Sequence, residues 1–209
     1  MTHGAIAALR RLRPAPAAGE RCELCSQPLG ERHEHVLERA SGRIGCACTA
    51  CALLFEGGQR GWRRLPRDSR ALTDFELSAA EWASLGIPIQ LAFFWRDGSS
   101  DVETPEVIAA YPSPAGAVRA AIPTAAWAAL QAAHPELEAM VSEVEALLLN
   151  RMDTPHEAFV VPLDQAYRLV GLIRSAWTGF GGGPEVRQAL RAFCDELRVE
   201  TPQEGRRRA

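Results

Sequence analysis

The chain has 209 residues, of which 47% are apolar and 23% charged, a composition typical of a globular protein rather than a disordered one. All 23 basic residues are arginine, so the absence of lysine excludes a phosphate-loop lysine and Schiff-base chemistry. No segment approaches the roughly 18 apolar residues that a membrane span needs, and residues 5–9 are too short for a secretory leader. We therefore expect a cytoplasmic protein whose cysteines stay reduced.

Composition along the chain predicts four parts. Residues 1–20 and 201–209 lack a sustained hydrophobic period and predict disordered tails. Between them we expect a zinc-ribbon-like metal-binding module over residues 21–58 and an α+β domain over residues 59–200, with an antiparallel sheet packed against helices. The fold class is therefore predicted as α+β.

The module is defined by two Cys-x-x-Cys pairs, Cys22 with Cys25 and Cys48 with Cys51, which can bring four thiolates to one metal. Four thiolates complete the tetrahedral coordination of zinc and leave no position for a substrate, so we predict a structural zinc that stabilises the fold. Cys46 is one thiolate more than zinc requires. It could replace a ligand, take part in ligand exchange or fill space, and the surplus leaves an iron–sulfur cluster or a single iron open as the alternative.

Two histidines, His33 and His35, lie between the cysteine pairs and would face the same side of an extended segment. Either could ligate a metal or bind a second ion, although their charged neighbours favour a solvated loop. Residues 36–44, with Ser41 and Gly42 near the middle, predict a hairpin that leads to the second cysteine pair. Residues 51–55 then predict an apolar strand.

A basic segment follows the module. Residues 60–70 contain five arginines and one aspartate, or +4, which leaves −7 for the remainder of a chain whose net charge is −3. Arginine neutralises phosphate and stacks on bases, so the segment contains a candidate nucleic-acid surface, formed by Arg60, Trp62, Arg63, Arg64 and Arg67. The net negative charge of the chain argues against nucleic acid and favours a solvated face or an acidic protein partner.

Patterns in the α+β domain predict its elements one by one. Ser78 and Glu81 have capping-box spacing and predict a short helix over residues 79–85 that Gly86 ends. Residues 87–95, 107–111 and 117–122 predict three antiparallel strands, and residues 144–150 and 159–161 predict further strands. Thr124 is expected to cap a helix over residues 125–133.

The C-terminal part predicts two amphipathic helices, one begun by Asp164 and one by Pro184. The glycine run between them is explained as a helix end followed by a helix start, rather than as an anion cradle. Asp164 and Arg168 have the spacing of an ordinary intrahelical pair, and Cys194 is expected to be a small core residue. No set of nucleophile, base and orienting acid can be assembled, so no catalytic residue is assigned.

The order of these motifs resembles an uncharacterised bacterial family whose members recur in gene clusters for nickel–iron uptake hydrogenases. The likeness covers residues 21–198 and includes the Cys-Ala-Cys string at 46–55, Glu81-Trp82 and Leu85-Gly-Ile-Pro88, and it is most specific at residues 167–174. It implies a cytoplasmic accessory to hydrogenase assembly or to its electron path, with a hydrogenase component as protein partner. It assigns no residue a role.

We therefore expect a non-enzymatic, metal-stapled accessory or scaffold protein that supports a nickel–iron hydrogenase. One alternative is a small iron-containing electron-transfer protein. The second is a zinc-ribbon nucleic-acid-binding regulator.

Overall fold

The computed structural model describes residues 19–58, 61–98, 106–179 and 182–200. The expected tails, apart from residues 19 and 20, lie outside these ranges, as do Arg60 and part of the glycine run. A three-stranded antiparallel sheet has the order β2-β1-β3 and is formed by β1 (Glu34–Glu38), β2 (Arg43–Ala47) and β3 (Trp62–Arg64).

A six-stranded antiparallel sheet forms the centre of the remaining chain, with the order β4-β9-β8-β5-β6-β7. Its strands are β4 (Arg70–Ala71), β5 (Leu91–Arg96), β6 (Val107–Ser113), β7 (Gly116–Ala121), β8 (Glu145–Asn150) and β9 (Glu157–Pro162). The α-helices are α1 (Thr49–Leu53), α2 (Ala79–Ser84), α3 (Thr124–Ala133), α4 (Leu163–Ala176) and α5 (Gly183–Glu200), and a 3-10 helix spans Pro135–Ala139. Among the helices described, none has the length and apolar character required to cross a bilayer.

Helices cover both faces of the large sheet. Along β5, Phe93 and Trp95 point into a core shared with α4 and α5, whereas Phe94 between them points into a second core shared with α2 and α3. Because both faces are covered, every residue of β8 is buried, which explains its nearly continuous apolar sequence. The predicted fold class, an antiparallel sheet with packed helices, is confirmed at this level.

The hairpin predicted over residues 36–44 is confirmed as β1 and β2, and Gly42 adopts a left-handed φ of 67° in its turn. The third strand of the small sheet, β3, lies beyond residue 58, where the predicted module ends. Leu37 of β1 and Leu65 after β3 are buried in the same core as α4 and α5. The small sheet therefore packs directly on the larger one.

Three local predictions are wrong. Residues 51–55 do not form a strand, because helix α1 begins after Cys48 and the Ala52 amide donates to the Cys48 carbonyl at 2.9 Å. Thr124 does not cap α3; it is the first helical residue, and Pro123 occupies the cap without a side-chain hydrogen bond. The strand expected from residue 87 starts only at Leu91, since Gly86 and Pro88 keep the chain out of the ladder. The capping box of Ser78 and Glu81 is confirmed.

The arginine segment (residues 61–70 of the described chain) is not the solvated face expected from its charge. Its four arginines pair with three carboxylates that are at most 5% exposed. The pairs are Arg63 with Glu143 at 2.7 Å, Arg64 and Arg67 with Glu34 at 3.1 and 2.8 Å, and Arg70 with Glu145 at 3.1 Å. A buried carboxylate requires a partner charge, and these arginines supply it. The Arg63–Glu143 pair links the small sheet to the large one, whereas the Glu34 and Glu145 pairs each lie within one sheet region.

Candidate metal centre

The four cysteines of the two Cys-x-x-Cys pairs meet at one point. One sulfur from each of Cys22, Cys25, Cys48 and Cys51 lies within 4.8 Å of the other three, and the Cys25 and Cys48 sulfurs are 3.7 Å apart. Two sulfurs bound at about 2.3 Å to one tetrahedral zinc stand roughly 3.8 Å apart. The observed spacing therefore fits a tetrahedral metal ion.

The first cysteine pair is held by a tight turn and by Glu23 between the cysteines. The Ser26 amide donates to the Cys22 carbonyl at 2.7 Å, and Ser26 adopts a left-handed φ of 64°. Glu23 exchanges two hydrogen bonds with Cys46 of β2, each 2.9 Å long, and its carboxylate also pairs with Arg43. A Cβ at Gly45 would lie 3.1 Å from that carboxylate, so the close approach favours glycine there. The pair is thus fixed to the small sheet.

The second cysteine pair is positioned by α1. Cys48 is the residue before the helix and Cys51 lies in its first turn. Residues three apart lie on the same side of a helical turn, so both sulfurs face the first pair. Convergence of the four sulfurs therefore accounts for a helix over residues 49–53, where a strand was predicted to begin at residue 51.

The thiols share their protons unequally. Burial opposes ionisation of Cys22, but amide hydrogen bonds from Cys48, Cys25 and Leu24 together outweigh it and lower the pKa of Cys22 to about 6. Burial, followed by hydrogen bonds to the other thiols, raises the pKa of Cys51 to about 12. Without a metal, the cluster therefore holds one readily formed thiolate, Cys22, beside a thiol, Cys51, that resists ionisation. A divalent cation would offset the repulsion between neighbouring thiolates and so favour ionisation of the remaining thiols.

Cys46 does not group with these four sulfurs. Its side chain joins those of His33 and His35, and one ligand atom from each of the three lies within 4.8 Å of the other two. The register of the hairpin explains the meeting, because His35 on β1 stands opposite Cys46 on β2. The prediction that both histidines face one side is confirmed by ring centroids 4.8 Å apart. The predicted solvated loop is wrong, since His35 lies in a strand and the His33 side chain is only 8% exposed.

Asp164 orients His35. The Nδ1 atom of His35 is 2.8 Å from Oδ2 of Asp164, and this hydrogen bond is the main reason that the pKa of His35 is raised. The predicted pairing of Asp164 with Arg168 is wrong, because Arg168 reaches across to Glu196 of α5 at 2.9 Å. Sequence spacing could not show this, as His35 and Asp164 are far apart in the chain.

Two further polar residues lie in the core. Cys194 is fully buried, as predicted, and burial raises the pKa of its thiol to about 12. The ring of His134 stacks on Phe75 with centroids 3.9 Å apart, and its Nε2 lies 2.9 Å from the Glu76 carbonyl. Burial of Cys194 and the contacts of His134 indicate a structural role for both side chains.

Comparison with known proteins gives one match. The sequence model of a family of unknown function (DUF5947) matches residues 21–201. No curated protein and no solved structure matches the chain.

Proposed function

Since the chain belongs to the DUF5947 family, whose function is unknown, we propose a role from its metal centre: a non-enzymatic accessory protein with a structural zinc. Membership agrees with the resemblance to an uncharacterised family. The connection to nickel–iron hydrogenases is a proposal that rests on that resemblance alone.

Zinc is the ion we propose for Cys22, Cys25, Cys48 and Cys51, in a zinc-ribbon-like module. A set of four sulfurs suits zinc or iron. The position of Cys46 favours zinc, because the surplus thiolate that had left iron open lies with two histidines and not with the four sulfurs. With four protein ligands the ion has no open position, which supports a structural role.

A protein partner would dock beside this metal centre. Three leucines within three positions of a cluster cysteine are unusually exposed: Leu24 at 38%, Leu53 at 51% and Leu54 at 64%. Single exposed leucines are common, but exposed apolar side chains grouped at a rigid site are typical of binding surfaces. The exposure of three leucines so close in sequence to the four clustered cysteines is the observation that carries the proposal.

The partner that we propose is a component of a nickel–iron hydrogenase, in the cytoplasm, where thiols stay reduced. Nucleic acid is a weaker candidate. Arg63, Arg64 and Arg67 already pair with the chain's own buried carboxylates, so binding phosphate would require these pairs to break.

The partner is tested by affinity capture from cells that express a nickel–iron hydrogenase operon. Tagged full-length chain should retain a hydrogenase subunit or assembly protein, identified by mass spectrometry. The double variant Leu53→Ser with Leu54→Ser should lose it, whereas Val199→Ser, which alters a residue 86% exposed on α5, should retain it. Recovery of no operon product, or equal recovery by both variants, would contradict the proposal.

The metal is tested separately by metal analysis and an absorption spectrum of anaerobically purified protein. Colourless protein that contains zinc supports the structural role. Coloured protein that keeps iron would contradict it and establish the electron-transfer alternative.

A further inference from the structure

We propose that His33, His35 and Cys46 bind a second divalent ion of the zinc class, in a three-ligand site separate from the four cysteines. Two imidazoles and one thiolate are ligands of the type that zinc prefers. The three ligand atoms already lie within 4.8 Å of one another. Bound to one zinc they would stand roughly 3.3–3.7 Å apart, so small side-chain rotations complete the geometry.

His33 provides the independent observation that points to a ligand. Its Nδ1 is 3.0 Å from the Gly30 carbonyl, which assigns the proton to Nδ1 and leaves the lone pair on Nε2. That Nε2 is buried and has no hydrogen-bond partner in the described part of the chain, and the side chain is 92% buried. Buried polar atoms are normally satisfied, so an unpaired acceptor beside another imidazole and a thiol calls for a cation.

His35 is oriented as metal-binding histidines usually are. Asp164 accepts the Nδ1 proton at 2.8 Å, which fixes the ring and leaves Nε2 for a metal. Cys46 stands opposite His35 in the hairpin register, and its amide hydrogen bond to Glu23 holds this part of β2 in place. The site is therefore supported by carboxylates on two sides.

The fourth position of this ion would be open. Within the described ranges, no additional cysteine, histidine or carboxylate groups with these three ligand atoms. A cleft of about 410 Å³ borders both histidines and Asp164 and is also lined by Arg67. Three protein ligands and a position that water can occupy are the pattern of exchangeable or catalytic zinc, not of structural zinc. The inference goes beyond the proposed function and does not depend on any protein partner.

Metal stoichiometry tests this inference on the full chain. Purified protein is equilibrated with buffered free zinc, and bound zinc is counted by mass spectrometry. We expect two ions per chain in the wild type, one in the double variant His33→Ala with His35→Ala, and two in His156→Ala, which changes an exposed histidine outside the site. A wild type that binds one ion, or a double variant that binds two, would overturn the proposal.

A second measurement needs no variant and so does not depend on how the double variant folds. Histidine ring nitrogens are followed by NMR while zinc is added to wild-type protein. Between one and two equivalents, the ring signals of His33 and His35 should shift and those of His156 should stay. Unchanged His33 and His35 signals at two equivalents would overturn the second site.

Discussion

Glu143 is the residue through which the small sheet is tied to the large one, and its replacement by glutamine should destabilise the protein. The carboxylate is 5% exposed and accepts from Arg39 Nε and Arg63 Nη1, both at 2.7 Å. Its backbone has a left-handed φ of 70°, and its amide donates to the Arg96 carbonyl at 2.9 Å. Two cations from the small sheet region thus converge on one buried anion before β8.

The size of the effect follows from these contacts. Removing one partner of a buried ion pair costs about 3–5 kcal/mol when the remaining charge is left without water. Here Arg39 and Arg63 are 41% and 28% exposed and can regain water, so we expect a loss of about 2–4 kcal/mol from the Glu143→Gln substitution. Glutamine has nearly the same shape as glutamate and would adopt the same left-handed backbone conformation. Backbone strain at residue 143 is therefore equal in the wild type and the variant and does not contribute to the difference in stability.

Urea denaturation of zinc-loaded protein measures this loss, with Glu196→Gln as the matched control. Glu196 pairs with Arg168 at a site where both side chains are more than 40% exposed, and an exposed pair contributes about 0–1 kcal/mol. In a chain of this size the Glu143→Gln loss corresponds to roughly 4–16 °C in Tm. The two variants should therefore differ by at least about 1 kcal/mol, and a difference below about 0.5 kcal/mol would show that Glu143 does not hold the two sheets together.

Three further predictions concern separate parts of the structure. Ser78→Ala should lower the free energy of unfolding by about 1 kcal/mol through loss of the α2 cap, and an unchanged urea midpoint would contradict this. Cys194, fully buried with a pKa raised to about 12, should resist iodoacetamide at pH 8 in folded protein; peptide mapping that finds it alkylated before unfolding would contradict its burial. Asp164→Asn should weaken binding of the second zinc about 10- to 100-fold, measured by titration against a competing chelator, and unchanged affinity would show that Asp164 does not support that ion.

Features that depend on only a few neighbouring residues could be predicted from the sequence. The capping box of Ser78 and Glu81, the hairpin turn at Gly42 and the buried run of β8 each depend on local pattern, and each is present. The meeting of the two cysteine pairs could also be predicted, because their Cys-x-x-Cys spacing is typical of four sulfurs that converge on one metal ion. The helix at residues 49–53 could not be distinguished from a strand, since a short apolar run has no period.

Contacts between distant parts of the chain could not be predicted. The arginine segment has a high local charge, and its partners Glu34, Glu143 and Glu145 lie far from it in sequence, so its charge wrongly indicated a solvated face. Cys46 is only two residues from Cys48, and on one continuous strand the two side chains would share a face. Instead β2 ends at Ala47 and α1 begins after Cys48, and the hairpin register places Cys46 opposite His35. Glu23 lies between the cysteines of the first pair, and its carboxylate accepts a hydrogen bond from the Cys46 amide. Sequence reasoning missed this contact, which holds Cys46 in its place on β2.

Hydrogen exchange before and after chelation tests the central claim most directly, namely that four cysteines bind one ion that stabilises the N-terminal fold. Amide protection is measured by mass spectrometry on zinc-loaded protein and on protein treated with a strong chelator. We predict that peptides from residues 21–58 lose protection when zinc is removed, whereas peptides from β8 keep theirs. Unchanged protection over residues 21–58 in zinc-free protein would contradict the claim.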